Sequence, residues 1–175
     1  MAERRRVFVA AGSNVEPRVH LRRALLALRG LYPDLEVSPA YANQAVGFEG
    51  DDFVNLVVGF TTDESLESLI GHLRGVEALC GRPRDAPKWA PRSMDLDILL
   101  YGDLRSDEPG LVLPRPDLVK RPYMLGPMAD IAPQLRHPTL GLTIGELWAR
   151  FDRSAHPMQR VADDAGAGTA GGSRA

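Results

Sequence analysis

Asp95 and Asp97 stand two residues apart inside an otherwise apolar run, in the stretch KWAPRSMDLDILLYGD from Lys88 to Asp103. Residues i and i+2 of a strand share a face, so both carboxylates point the same way, with α-carbons about 7 Å apart. A carboxylate placed in an apolar strand needs a partner, because an isolated buried charge is costly. The spacing leaves two partners open, a nearby arginine or a metal ion. Two converging carboxylates are a donor set for a hard cation such as Mg²⁺, which takes oxygen ligands and is often shared with substrate phosphates.

The residues just before the strand bear on that choice. Arg82, Arg84, Lys88 and Arg92 lie within eleven residues, stiffened by Pro83, Pro87 and Pro91, with Trp89 among them. Guanidinium forks match phosphate oxygens bidentately. Acids for a cation beside bases for phosphate are what phosphoryl transfer requires, since that chemistry rests on positioning and charge neutralisation. No G-x-x-x-x-G-K-[ST] motif is present. A second constellation is Phe53 and Asn55, again i and i+2: a ring face can stack on a flat heterocycle while an amide reads its edge.

The elements that must position these residues are legible as periodicities. Arg6–Ala11 reads as a buried strand ending in the turn GSN, and EPRVHLRRALLALRGL as a helix opened by Pro17, with Val19, Leu21, Leu25, Leu28 and Leu31 as its stripe. LEVSPAYANQ reads as a strand made irregular by Pro39, and Phe53–Thr62 as a further strand. DESLESLIGHLRGVEALCG is a helix capped by Asp63, burying Leu66, Leu69, Ile70, Leu73 and Val76. In the strand MDLDILLYG, Leu99 and Tyr101 are expected on the aspartate face, and Leu96, Ile98 and Leu100 in the helix-covered core. The order strand, helix, strand, strand, helix, strand predicts an α+β fold with a ferredoxin-like βαββαβ core. A C-terminal extension follows, with LVLP as a further strand and helical pieces near YMLGPMADIAP and TIGELWARF.

The chain has 175 residues, 44% hydrophobic and 25% charged, with a net charge of −2. One catalytic domain is expected over residues 1–152, followed by a disordered tail over 153–175. A net-acidic chain whose strand face carries carboxylates argues against a nucleic-acid partner, including a ferredoxin-like RNA-binding module. One cysteine, Cys80, permits no intrachain disulfide, and no stretch has the length of a signal peptide's apolar region or a membrane span. A cytoplasmic protein without membrane partners is expected. The isolated His20, His72, His137 and His156 give no zinc spacing.

Taken together, KWAPRSMDLDILLYGD closely resembles the signature of the 6-hydroxymethyl-7,8-dihydropterin pyrophosphokinase family. VFVAAGSN, DDFVNLVV, VEALCGRPR and LPRPDLVKRPYMLGPMADIAP resemble its other blocks, in order, over roughly residues 6–152. The resemblance implies transfer of a pyrophosphoryl group from ATP, a co-substrate, to the pterin's hydroxymethyl oxygen, releasing AMP in folate biosynthesis. It implies two Mg²⁺ ions at Asp95 and Asp97, a pterin between Phe53 and Tyr123 with Asn55 on its edge, and a catalytic set of Arg82, Arg92, Asp95 and Asp97. Gly12, Ser13, Asn14, Val46, Gly47 and Trp89 complete the implied pterin side. Glu77, Arg82, Arg84, Lys88, Trp89, Arg92, Ile98, Arg115 and Arg121 make up the implied nucleotide side. A monomer acting on small molecules is expected. The chain departs from the family pattern at Arg115, where a histidine commonly follows Leu-Pro, and at ANQAVG, which lacks the usual Thr-(acidic/Pro)-Pro.

Overall fold

In β1 (Arg5–Ser13) and β4 (Phe53–Thr62), runs of β-branched and aromatic residues leave both faces of each strand apolar. The two strands pair antiparallel along their whole length, from Arg5 opposite Thr62 to Ser13 opposite Val54. β5 (Asp95–Tyr101) lies antiparallel on the other side of β1. Two short strands, β2 (Glu36–Val37) and β3 (Tyr41–Asn43), pair antiparallel with β4. The sheet order is β5-β1-β4-β3, with β2 beside β4 as well. This computed structural model describes residues 3–43, 53–81, 93–154 and 157–161.

Two helices cover one face. Pro17, with φ pre-set for a first helical turn, opens α1 (Pro17–Leu31). Ser65 caps α2 (Leu66–Leu79) by accepting the Ser68 N–H, so the cap falls two residues after the expected Asp63. Leu21, Leu25 and Leu28 of α1 and Leu69, Leu73 and Val76 of α2 bury against Val7, Val9, Leu56, Val58, Phe60 and Leu96. Each such side chain contributes about 1.5–3 kcal/mol on leaving water. Val19 and Leu31, expected in the α1 stripe, are 47% and 39% exposed, and Ala24 takes the inner place. The stripe is narrower than the apolar residues suggest because α1 meets only one flat surface.

The opposite face carries a second layer. A hairpin of β6 (Ser106–Glu108) and β7 (Leu111–Leu113) leads through a 3-10 turn at Pro116–Val119 to α3 (Pro122–Ile131) and α4 (Ile144–Arg150). Met124, Leu125, Met128 and Ile144 bury against Phe8, Ala10, Val57, Leu99 and Leu100. Mixed helix and sheet, with a helical layer on each face, is therefore the architecture.

Three further details differ from the sequence-based expectations. The stretch LEVSPAYANQ forms two strands rather than one, because proline cannot donate to a ladder at position 39. The register of β1 and β5 shifts between Phe8 and Val9, so that Leu99 is an extra residue on β5. Side chains after it change faces: Tyr101 packs with Leu96 under α1 and α2, and Leu100 packs beneath α3. Finally, β8 (Gln159–Arg160) pairs with β3, inside the stretch expected to be disordered. Among the described residues, no helix is long and apolar enough to cross a membrane.

Candidate active site

The register places three residues in one row across the sheet. Asn55 of β4 is opposite Gly12 of β1, and Gly12 is opposite Asp95 of β5. Asp97 is opposite Ala10, whose side chain packs in the α3 layer, so both aspartates share that face. Phe53 belongs to the same face as Asn55 by alternation and is half-buried. Tyr123, near the start of α3, packs against the second core cluster. The site therefore lies at the end of the sheet where β1 finishes and β4 and β5 begin.

Gly12 is required by a close approach. A β-carbon there would stand 2.5 Å from Asn55 Oδ1. Asn55 is buried, and its Nδ2 donates to Asn43 Oδ1 at 2.7 Å, which fixes the amide and leaves its oxygen turned toward the row. Ser13, one residue on, lies on the other face; its hydroxyl donates to Val15 O at 3.1 Å and holds the turn into α1. Asn14 is buried beside it. On β3, the Tyr41 hydroxyl donates to Asp130 Oδ2 at 2.5 Å, tying the sheet to α3 below Tyr123.

The electrostatics centre on Asp97. Burial pushes its carboxyl up to about 6, and the adjacent Asp95 and the more distant Glu77 push the same way, while Arg115 and Arg74 oppose them. Arg115 Nη2 lies 3.7 Å from Asp97 Oδ1 and 3.8 Å from Asp117 Oδ2. Its backbone N–H donates to Leu99 O at 3.0 Å, which seats Arg115 on the bulge of β5. Its Nε is buried and has no hydrogen-bond partner among the described residues, which leaves an unused donor beside the acidic pair. Burial also raises the Tyr123 hydroxyl, whose charged neighbours are Arg121, Asp117, Asp97 and Arg115. Arg121 is exposed at the N-terminal end of α3.

Glu77 is almost fully buried on α2, and its Oε2 accepts the Leu96 N–H at 2.8 Å. Ile98 is half-buried on the α1–α2 face, against the first core cluster. Val46, Gly47, Arg82, Arg84, Lys88, Trp89 and Arg92 lie outside the described residues. Of the other residues expected at the site, Gly12, Phe53, Asn55, Asp95, Asp97, Arg115 and Tyr123 come together on the α3 face. Asn43, Tyr41, Arg74 and Asp130 support them without having been singled out from sequence. Arg74 carried one signal, its i,i+3 spacing to Glu77 on a helix.

The donor set suits a hard cation. Asp95 and Asp97 supply oxygen ligands only, and among the described residues no group of three or more His, Cys, Asp or Glu side chains forms a cage. Mg²⁺ is commonly held by one or two carboxylates, with water and substrate phosphate completing its shell.

The family model of 7,8-dihydro-6-hydroxymethylpterin-pyrophosphokinase matches residues 8–133. A 2-amino-4-hydroxy-6-hydroxymethyldihydropteridine pyrophosphokinase of Pseudomonas aeruginosa is 41% identical over 138 residues, covering 76% of this chain and 84% of the relative. The enzyme of the same name from Synechocystis sp. is 33% identical over 150 residues, covering 84% and 76%. Among solved structures, the wild-type HPPK-DHPS of Plasmodium falciparum with STZ-DHP superposes with a TM-score of 0.65 at 14% identity. That match covers 86% of this chain but only 42% of the larger one, so it speaks for the fold alone.

Proposed function

The chain belongs to the 7,8-dihydro-6-hydroxymethylpterin-pyrophosphokinase family, and from that membership we propose how its residues move a pyrophosphoryl group from ATP to 6-hydroxymethyl-7,8-dihydropterin. The reaction serves folate biosynthesis. The acceptor's hydroxymethyl oxygen bonds to the β-phosphorus, the bond from that phosphorus to the α,β-bridging oxygen breaks, AMP departs, and the hydroxyl proton is lost.

The pterin lies between the rings of Phe53 and Tyr123, with the Asn55 amide on its edge. The single observation carrying this reading is the row Asn55–Gly12–Asp95, which sets an amide for a heterocycle and carboxylates for a cation on the two strands flanking β1. Gly12 keeps the floor of that pocket open, and Asn43 holds Asn55 in one orientation. Ser13 and Asn14 shape the adjoining turn, and Val46 and Gly47, outside the described residues, are assigned to the pterin side by family resemblance alone.

Asp95 and Asp97 hold the metal, two Mg²⁺ ions in our reading. A cation held by these two carboxylates would supply neutralisation of triphosphate charge. Arg115, whose side chain is partly exposed beside Asp97, and Arg121, exposed at the start of α3, bring guanidinium groups to phosphate oxygens. The segment between Gly81 and Ser93 supplies Arg82, Arg84, Lys88, Trp89 and Arg92. Arg82 and Arg92 neutralise charge developing on the leaving oxygen, and Ile98, next to Asp97 on β5, is assigned to the nucleotide side by family resemblance. The catalytic unit is a ferredoxin-like fold, monomeric and cytoplasmic, reaching at least from β1 to the edge strand β8.

Binding of the pterin, followed by its fluorescence, tests the pocket. Asn55→Ala is expected to weaken it by about 10–100-fold, the value of one or two buried hydrogen bonds. Unchanged affinity in that variant would remove the pterin from this row.

A further inference from the structure

β5 is an edge strand, and the backbone groups of Leu96, the residue between the two aspartates, turn away from β1. No strand is there to receive them. Instead, Glu77 Oε2 accepts the Leu96 N–H at 2.8 Å, and Arg74 Nη1 donates to Leu96 O at 3.3 Å. The two side chains are themselves paired, Arg74 Nη1 to Glu77 Oε2 at 2.9 Å. One turn of α2 thus presents an acceptor and a donor, joined to each other, where a neighbouring strand would have placed a C=O and an N–H.

The peptide groups held in this way are those on either side of Leu96. The N–H belongs to the Asp95–Leu96 peptide and the C=O to the Leu96–Asp97 peptide. Fixing both peptide planes fixes the directions in which the two aspartate side chains leave the backbone. Glu77 can do so firmly because it is 6% exposed, so water does not compete for the Leu96 N–H. Its carboxylate faces the α1–α2 side and the strand edge, while the aspartates face α3, so beyond its weak charge effect on Asp97 it holds them through the backbone.

We propose that Glu77 and Arg74 are positioning residues for the metal-binding pair: they replace the missing strand beside Leu96 and hold Asp95 and Asp97 in a convergent arrangement before a cation arrives. This rests on the metal reading of Asp95 and Asp97. It assigns Glu77 a task separate from contact with the nucleotide, and it gives Arg74 a role where none was expected. Geometry, more than the charge of Glu77, is what the site uses.

The test compares three variants with the unaltered protein. Glu77→Gln keeps an oxygen acceptor for the Leu96 N–H but drops the charge. Glu77→Leu drops both. Arg74→Ala, on an exposed helix surface, removes the donor to Leu96 O and the ion pair with Glu77 but leaves the Glu77 acceptor in place, and serves if Glu77→Leu does not fold. Two quantities are measured: Mn²⁺ affinity by electron paramagnetic resonance, with and without a non-hydrolysable ATP analogue, and hydrogen exchange of the Leu96 amide without metal. The proposal expects Glu77→Gln to keep Mn²⁺ affinity within about threefold and to keep Leu96 protected. Glu77→Leu should lose at least about tenfold in Mn²⁺ affinity together with Leu96 protection, and Arg74→Ala should fall between them. Equal losses in Glu77→Gln and Glu77→Leu would overturn it in favour of a charge effect. Unchanged Mn²⁺ affinity in Glu77→Leu with weakened analogue binding would overturn it in favour of direct nucleotide contact. If the unaltered protein binds no Mn²⁺ at all, the metal reading fails and the proposal with it, and Leu96 exchange then reports separately whether the clamp exists.

Discussion

Gly12 and Asn55 face each other across β1 and β4 so closely that a β-carbon on the first would stand 2.5 Å from the side-chain oxygen of the second. Gly12→Ala therefore turns the amide out of the row and breaks its bond to Asn43. The expected result is a rise of about 10–100-fold in KM for the pterin, from the loss of one or two buried hydrogen bonds. The KM for ATP should stay nearly constant. Steady-state kinetics with each substrate varied in turn checks the split, and a melting curve checks that the fold survives.

Asp97 makes the site dependent on pH. Its carboxyl titrates near 6 because of burial and the neighbouring Asp95 and Glu77, against the pull of Arg115 and Arg74. A cation needs the ionised form, so metal affinity should hold above about pH 7 and fall roughly tenfold per unit below pH 6. Calorimetric titration of the metal across pH 5–8 measures this.

The same shift has the opposite sign for stability without metal. A raised folded-state value contributes stability that is fully present below the ordinary carboxylate value and lost as pH rises through about 6. Asp97→Asn is therefore expected to stabilise the metal-free protein at pH 7.5, by up to about 3 kcal/mol. It should flatten the melting temperature between pH 4 and 7. Thermal unfolding of both proteins across that range is the check.

How the sequence foretold these features varied with their physical origin. β1, β4 and β5 were legible because a run of β-branched and aromatic residues marks a strand wherever it lies. The shared face of Asp95 and Asp97 was legible from period two alone. The bulge at Leu99 was not, since one inserted residue leaves no mark in composition, and it moved Leu100 and Tyr101 to faces opposite to those expected. β8 was missed because Gln159 and Arg160 carry no apolar pattern; they pair with the edge that β3 offers, with Val161 packed against the core beside them. The proximity of Arg115 to Asp97 depends on the path of the chain through β6, β7 and the 3-10 turn, which no local spacing records.

Arg115 sits 3.7 Å from Asp97 and opposes its protonation. Arg115→Gln should therefore move the midpoint of metal binding to higher pH. It should also weaken ATP by about 10–100-fold, the worth of a charge-assisted hydrogen bond to phosphate. Metal titrations at several pH values and nucleotide binding at pH 8 separate the two effects.

Tyr41 and Asp130 fasten α3 to the sheet through a hydrogen bond of 2.5 Å. Tyr41→Phe removes it and should cost about 1–2 kcal/mol in chemical denaturation, since the acceptor is charged. Because Tyr123 is carried on α3, a rise of a few-fold in pterin KM is expected with it.

The most direct test follows the nucleotide products. The protein is incubated with ATP, Mg²⁺ and 6-hydroxymethyl-7,8-dihydropterin, with controls lacking metal or pterin, beside Asp95→Asn and Asp97→Asn, and the products are separated by chromatography. AMP formed only when metal and pterin are both present, and reduced at least about a thousandfold in each variant, is the predicted result. AMP formed by either variant at the rate of the unaltered protein at saturating Mg²⁺ would contradict the assignment of the acidic pair.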